Sequence, residues 1–125
     1  MINLLFVALG GALGSVARYA LGHWTRILWP HASWPWGTFL ANVLGGLCMG
    51  VLVGALKGYE MERYRLLLGV GVLGGFTTFS TYSLEVVIMM ERKTYGMALL
   101  YALTSAILAI GAVMLGLIIT RKTLL

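Results

Sequence analysis

Four apolar stretches, each about twenty residues long, dominate this 125-residue sequence. They lie at about residues 2–21, 36–56, 66–90 and 95–119. A helix needs about 20 mostly apolar residues to cross a hydrocarbon core of roughly 30 Å. The loops between the stretches are too short to hold a separate soluble domain. The sequence therefore predicts an all-α integral membrane protein, with residues 1–125 forming a single four-helix transmembrane domain.

Composition and charge narrow the class further. Hydrophobic residues make up 60% of the chain and charged residues 10%, as expected of a membrane protein. The formal net charge of +5 comes from basic residues that lie singly or in pairs at span ends, which argues against a nucleic-acid surface. The lone Cys48 excludes a disulfide framework within one chain. The two histidines are not arranged with cysteines or carboxylates as metal ligands would be, so we assign them no metal. The sequence has no glycine-rich phosphate-binding loop that would indicate a nucleotide-driven pump.

Small residues recur at helical spacing in the first two spans. In the first span four residues are spaced four positions apart, namely Gly10, Gly14, Arg18 and Gly22. In the second span the series is Thr38, Asn42, Gly46, Gly50 and Gly54. Small residues at this spacing let two helices approach closely in a membrane. The pattern predicts tight helix packing along both faces.

The third span contains the least helix-like stretch of the chain. Residues 74–83 read Gly-Gly-Phe-Thr-Thr-Phe-Ser-Thr-Tyr-Ser, with two adjacent glycines and five serine or threonine side chains. Non-helical backbone at membrane depth is tolerated only where it is buried in protein or lines a polar cavity. We therefore predict a third helix that is broken at mid-membrane, as is common at ion sites. The alternative, a glycine-rich packing face on a continuous helix, stays open on these residues alone.

Three polar residues inside the spans require partners. Asn42 must pair with another helix or with a bound solute, because an unpaired amide in hydrocarbon is costly. Arg18 either extends to the interface or lines an aqueous vestibule that attracts anions. Glu85 is the only carboxylate at membrane depth. In the fourth span Tyr101 and Ser105 share one face.

The distribution of basic residues between the loops leaves the orientation open. One side of a four-span topology would carry five basic residues, including Lys57 and Lys122, and the other three or four, depending on Arg18. Because the bias in Lys and Arg sets topology, so small a difference permits insertion in both directions. An antiparallel pair would be the natural product.

Three motifs give the chain a resemblance to the small microbial fluoride channels of the Fluc or CrcB family. The motifs are Gly10-Gly11…Gly14-Ser15…Arg18-Tyr19, then Pro35-Trp36-Gly37-Thr38…Asn42…Gly45-Gly46, then residues 74–83 followed by Glu85. The resemblance implies an antiparallel, dual-topology homodimer in the cell (inner) membrane, with two fluoride pores and a structural sodium ion (Na+) at the interface. It also implies that the protein is a channel and not an enzyme.

The resemblance assigns roles to individual residues. The implied fluoride path is lined by Thr38, Asn42, Phe79, Tyr82, Tyr101 and Ser105, and Arg18 lies in an entrance vestibule. The implied sodium contacts are the backbone carbonyls of Gly74 and Thr77 from both subunits. Ser80, Thr81 and Glu85 belong to the same matching stretch without a specific role. The chain departs from the family pattern at Tyr82, where a phenylalanine is usual, and at Ala109, where relatives can carry a hydroxyl.

Two other classes compete with a fluoride channel. A proton-coupled small multidrug transporter also has four spans, but it needs a titratable carboxylate in its binding cavity, and only Glu85 is available. A non-transporting membrane subunit would use the glycine faces for assembly alone. Ion flux through the purified protein in liposomes separates the three classes.

Overall fold

Four helices long and apolar enough to cross a membrane make up the computed structural model, which describes residues 1–56 and 61–123. We label them α1 (Ile2–Leu28), α2 (Trp36–Ala55), α3 (Glu62–Glu91) and α4 (Tyr95–Thr123). The described residues contain no strand. Each helix covers one of the four predicted stretches, which confirms the all-α membrane architecture. Lys57 and the side chain of Lys122, used above in the charge comparison, lie outside the described residues.

The first helix is longer than the sequence suggested. The first span was predicted to end at about residue 21, but α1 continues to Leu28, so the predicted end was wrong by seven residues. Nothing in that segment stops a helix, and the Thr25 hydroxyl donates to the Gly22 carbonyl oxygen within the turn at 3.1 Å. The helix ends where Pro30 restrains the residue before it. Trp29 accordingly leaves the helical region, with φ −130° and ψ 69°.

The third span changes its backbone conformation along its length. A short α-helical turn at Glu62–Tyr64 leads into a π-helical segment at Arg65–Leu73 and a further α-turn at Gly74–Phe76. Thr77 and Thr78 then have extended backbone, with ψ angles of 155° and 120°. A regular α-helix resumes at Phe79 and ends at Glu91. Two non-helical residues therefore lie inside a segment of membrane-spanning length.

The glycine faces bring helix backbones into direct contact. A Cβ atom added at Gly71 in α3 would lie 2.8 Å from the Cα atom of Gly10 in α1, which is too close for any side chain. A Cβ atom added at Gly46 in α2 would lie 2.8 Å from the Ala109 carbonyl oxygen in α4. The predicted tight packing is confirmed at these positions. It pairs α1 with α3 and α2 with α4, and places the non-helical residues between the two pairs.

A compact turn joins α3 to α4. The Lys93 amide donates to the Met90 carbonyl oxygen at 2.9 Å, and the Thr94 amide donates to the Met89 carbonyl oxygen at 3.0 Å. These are the two hydrogen bonds of a Schellman motif, whose penultimate residue must adopt a left-handed conformation. Lys93 occupies that position with a φ of 59°, in the region that favours glycine.

Candidate functional site

A pocket of about 340 Å³ lies beside the non-helical residues, between α2, α3 and α4. We call it the inner pocket. Four of the six residues predicted to line a fluoride path are in its walls, namely Asn42, Phe79, Tyr82 and Ser105. Ala109, one of the two departures from the family pattern, also lines it. Residues from three helices, far apart in sequence, thus meet around one space at membrane depth.

Asn42 makes two hydrogen bonds to a single residue of the stretch around the non-helical Thr77 and Thr78. We call this stretch, residues 74–80, the interrupted segment. The Asn42 Nδ2 donates to the Thr78 carbonyl oxygen at 3.0 Å, and its Oδ1 accepts from the Thr78 amide at 2.8 Å. Of the two partners that the sequence allowed for Asn42, the structure shows another helix. The pairing satisfies both backbone groups of Thr78, which would otherwise lack helical partners in a membrane.

Thr78 also caps the helix that follows. Its hydroxyl oxygen accepts from the Thr81 amide at 3.2 Å, as an N-cap threonine does at the start of a helix. The Ser80 and Thr81 hydroxyls lie 3.2 and 3.1 Å from the same oxygen. Ser80 is exposed on the surface of the chain, whereas Thr81 is half-buried. Thr78 was not singled out from the sequence, although threonine is among the residues preferred at helix N-caps.

Two carbonyl oxygens lose their usual helical donors at this point. In a regular α-helix the Gly74 carbonyl would accept from the Thr78 amide, and the Thr77 carbonyl from the Thr81 amide. Here the Thr78 amide donates to Asn42 and the Thr81 amide donates to the Thr78 hydroxyl. These two carbonyls are the ones that the family resemblance assigns to sodium. Hard cations such as sodium are held by backbone oxygens of this kind in interrupted membrane helices.

Ser105 presents a buried hydroxyl to the inner pocket. The residue is only 3% exposed, and its Oγ has no hydrogen-bond partner of normal geometry in the described part of the chain. The Tyr101 hydroxyl, whose hydrogen points to Glu85, lies beside Ser105 on the same face of α4, and its oxygen is an acceptor that lies outside normal hydrogen-bond geometry. A buried donor without a partner is unfavourable unless something else occupies the space it faces.

The aromatic rings of α3 form another wall of the inner pocket. The ring centroids of Phe79 and Tyr82 are 5.5 Å apart, and Tyr82 is also 5.5 Å from Tyr101. The Tyr82 hydroxyl donates to the Ala102 carbonyl oxygen in α4 at 2.8 Å. The hydroxyl that distinguishes this chain from the usual phenylalanine is therefore bonded to a neighbouring helix. The Phe79 ring is 79% exposed on the single chain.

Glu85 joins the other two predicted path residues. The Thr38 hydroxyl donates to its Oε1 at 2.7 Å, and the Tyr101 hydroxyl donates to its Oε2 at 2.6 Å. Thr38 and Tyr101 are both buried. The carboxyl group thus links α2, α3 and α4, and both of these hydroxyls are hydrogen-bonded to it in the single chain.

A larger cavity of about 650 Å³ opens on the other side of this cluster. We call it the outer cavity. Arg18, Thr38, Thr81 and Glu85 line it. The Arg18 Nε donates to the Gly75 carbonyl oxygen at 3.1 Å, so the guanidinium group contacts the interrupted segment. Thr78 lines both the outer cavity and the inner pocket.

Tryptophans near the ends of membrane spans usually serve as interfacial anchors. Trp34 instead packs edge-on against Tyr101, with ring centroids 5.2 Å apart and an interplanar angle of 89°. It also contacts Phe39 and Trp36. No feature of the local sequence distinguishes Trp34 from its neighbours. Its position supports the side of Tyr101 that faces away from Glu85.

The fold and these sites define a small multi-pass membrane protein with an amide- and hydroxyl-lined pocket beside an interrupted helix. Residues 5–117 match the family described as CrcB-like protein, Camphor Resistance (CrcB). The chain belongs to this family.

Individual relatives agree with the family match over nearly their whole length. The chain is 54% identical to a protein of Phenylobacterium zucineum (strain HLK1) named "Fluoride-specific ion channel FluC", over 98% of each chain. It is 50% identical to a protein of the same name from Caulobacter sp. (strain K31), over 98% of this chain and 97% of the relative. A third, from Agrobacterium fabrum, is 44% identical over 98% of each. The resemblance drawn from the motifs is confirmed.

Proposed function

We propose that this protein is a fluoride-selective ion channel that lets cytoplasmic fluoride leave across the inner membrane by passive conduction. The relatives that it matches over their full length carry that name. The observation that carries the proposal is the inner pocket, which Ser105 lines together with Asn42 and Phe79, and the Ser105 hydroxyl makes no hydrogen bond of normal geometry within the described chain. A small anion would supply the acceptor that the Ser105 hydroxyl lacks.

The chemistry of the pocket suits fluoride. Fluoride is small and strongly hydrated, so a narrow path must replace much of its water shell with hydrogen-bond donors. Ser105 supplies a hydroxyl donor, and Asn42 has a second N–H besides the one that bonds to Thr78. The Phe79 ring adds a positive edge that attracts an anion weakly. Conduction requires this balance, because an ion must bind well enough to enter and weakly enough to leave.

Exposure of the interrupted segment favours a dimer as the working unit. Gly74, whose carbonyl has lost its usual helical donor, is exposed on the single chain, as are Phe79 and Ser80 on the other side of the non-helical residues. Non-helical backbone cannot face lipid, because lipid offers no hydrogen bonds. A second copy placed by a two-fold axis in the membrane plane would cover this surface and bring two identical segments together. The nearly equal basic charge on the two sides of the membrane supports the antiparallel arrangement, in which two pores would run along the subunit interfaces.

The carbonyl oxygens of Gly74 and Thr77 fit a structural sodium ion in this dimer. Their usual helical donors are engaged elsewhere, and the two-fold axis would supply the same pair from the partner. No group of three His, Cys, Asp or Glu side chains within residues 1–56 and 61–123 could hold a metal ion, so backbone oxygens are the available ligands. When bound, sodium would add a fixed positive potential beside both pores.

The proposal is tested by fluoride efflux from liposomes that contain the purified protein. The liposomes are loaded with potassium fluoride, efflux is started with a potassium ionophore, and external fluoride is followed with an electrode. We expect fast fluoride efflux without a proton gradient, and no matching efflux from liposomes loaded with potassium chloride. Absence of fluoride efflux would refute the channel. Efflux of a cationic drug driven by a proton gradient would instead support the transporter class.

A further inference from the structure

From the hydrogen bonds at the interrupted segment we infer that Asn42 is a positioning residue for the cation site, because it keeps the Gly74 carbonyl oxygen available as a ligand. This inference rests on the proposed function and deepens it. It gives Asn42 a role that differs from lining the fluoride path.

The first step is the removal of a donor. A helix that continued through residue 78 would direct the Thr78 amide at the Gly74 carbonyl oxygen. Asn42 Oδ1 accepts that amide at 2.8 Å, while Asn42 Nδ2 donates to the Thr78 carbonyl at 3.0 Å. A primary amide is well suited to this pairing because it offers one acceptor and one donor in the same plane, as a peptide group does. The extended conformation of Thr78 is thereby stabilised at both of its polar groups.

The second step extends the effect to the other carbonyl. Held in extended conformation, Thr78 becomes the N-cap of the following helix, and its hydroxyl accepts the Thr81 amide. That amide would otherwise reach the Thr77 carbonyl oxygen. The Gly75 carbonyl, one of the two that lie between them in sequence, accepts from Arg18 Nε at 3.1 Å. Asn42 thus frees two carbonyls for a cation, and Arg18 occupies a neighbouring one.

The third step explains how Asn42 reaches the segment. Ala41, Gly45 and Gly46 surround it on the buried face of α2. A Cβ atom added at Gly45 would lie 3.3 Å from the Phe76 ring and still closer to the Thr77 side chain. Only a small residue at this position lets α2 approach the interrupted segment within hydrogen-bond distance. The packing of α2 therefore places the amide against Thr78.

The test compares the sodium response of purified full-length protein with that of two variants. Thermal unfolding in detergent is measured over a sodium titration at constant ionic strength, with N-methylglucamine as the replacement cation. We expect a sodium-specific rise in Tm for the wild type. N42A, which loses both hydrogen bonds to Thr78, should need about tenfold more sodium for half of the rise. N3A removes the other asparagine, in the exposed first turn of α1, and should behave as the wild type.

Hydrogen exchange gives a second measurement at the site itself. A peptide covering residues 74–83 should exchange faster in N42A than in the wild type, because the Thr78 amide has lost its acceptor. If N42A does not elute as a folded dimer, N42D decides in its place. N42D loses the donor to the Thr78 carbonyl but keeps an acceptor for the Thr78 amide, and it is this second bond that leaves the Gly74 carbonyl free. We therefore expect N42D to retain most of the sodium response, and its loss would overturn the inference.

The outcomes separate this inference from the channel proposal. An unchanged sodium response in folded N42A, or a wild type without a sodium-specific rise in Tm, would overturn the role of Asn42 at the cation site. Neither result bears on whether the wild type conducts fluoride. Conversely, a wild type that fails the liposome assay refutes the channel whatever its sodium response.

Discussion

Replacing Ser105 by alanine should slow fluoride conduction without destabilising the protein. The Ser105 side chain is 97% buried, and its hydroxyl has no partner of normal geometry in the described chain. A buried unpaired hydroxyl costs about 1–3 kcal/mol relative to a satisfied one, so its removal relieves that cost. The loss of one small atom from the packing opposes this gain by at most about 1 kcal/mol. The free energy of unfolding should therefore stay within about 1 kcal/mol of wild type, or rise.

The effect on conduction should have the opposite sign. A hydroxyl that donates to an anion contributes about 1.5–3 kcal/mol, which corresponds to a decrease of about 10- to 100-fold in the rate of fluoride efflux from liposomes when that bond is lost. Thermal unfolding in detergent provides the stability measurement on the same preparation. The combination of retained stability and slow conduction is the signature of a hydroxyl that serves a ligand.

Thr104→Ala is the matched control for this experiment. Thr104 neighbours Ser105 on α4, but its hydroxyl donates within the helix to the Leu100 carbonyl oxygen at 2.6 Å. It lines neither the inner pocket nor the outer cavity. The control should conduct fluoride at nearly the wild-type rate. Wild-type efflux from Ser105→Ala, together with a loss of more than 1 kcal/mol of stability, would show that the hydroxyl is structural and would contradict our reasoning.

Four further substitutions test other parts of the structure. Phe79→Ile should slow fluoride efflux at least about tenfold with little change in dimer stability, because the exposed ring contributes an edge to the ion and little packing to its own chain; normal efflux would remove the ring from the mechanism. Tyr82→Phe should retain fluoride efflux and lower the unfolding free energy by about 1 kcal/mol, since only the hydrogen bond to Ala102 is lost. Complete loss of efflux would show that the hydroxyl is required. Glu85→Gln should destabilise the protein by about 1–3 kcal/mol in thermal unfolding, because two hydroxyls donate to its oxygens; an unchanged Tm would mean that the cluster adds no stability. Lys93→Gly should stabilise by about 1 kcal/mol, as its φ of 59° suits glycine, and a lower Tm would contradict this.

Helix ends were harder to predict than helix positions. The four spans follow from the length and hydropathy of each segment, so their centres needed no tertiary information. The end of α1 was missed by seven residues because Gly22, His23 and Arg26 resemble a loop in composition. A helix that has already formed is extended at little cost, and it continues until a residue such as the one before Pro30 cannot remain helical. Local polarity was therefore a poor guide to the boundary.

The candidate site was also predicted only in part from the sequence. The motif from Gly74 to Ser83 marks the region of the chain that carries hydroxyls, rings and flexible backbone. It does not say which of two roles Asn42 takes, and the structure pairs Asn42 with Thr78 across 36 residues of sequence. Thr78 itself was overlooked, although it meets both cavities. Its importance comes from the extended backbone that Asn42 stabilises, and no local rule predicts that contact.

The amino-acid sequence by itself determined that this chain enters a membrane, that four helices cross it, and that polar groups collect in the third. These properties depend on the transfer free energy and the composition of single segments, which can be read locally. The tertiary structure alone decided which polar groups meet, as in the attachment of Arg18 to Gly75 across 57 residues and of Thr38 to Glu85 across 47. Hydrogen bonds form only within about 3 Å, and that proximity is set by how closely the glycine faces let the four helices pack.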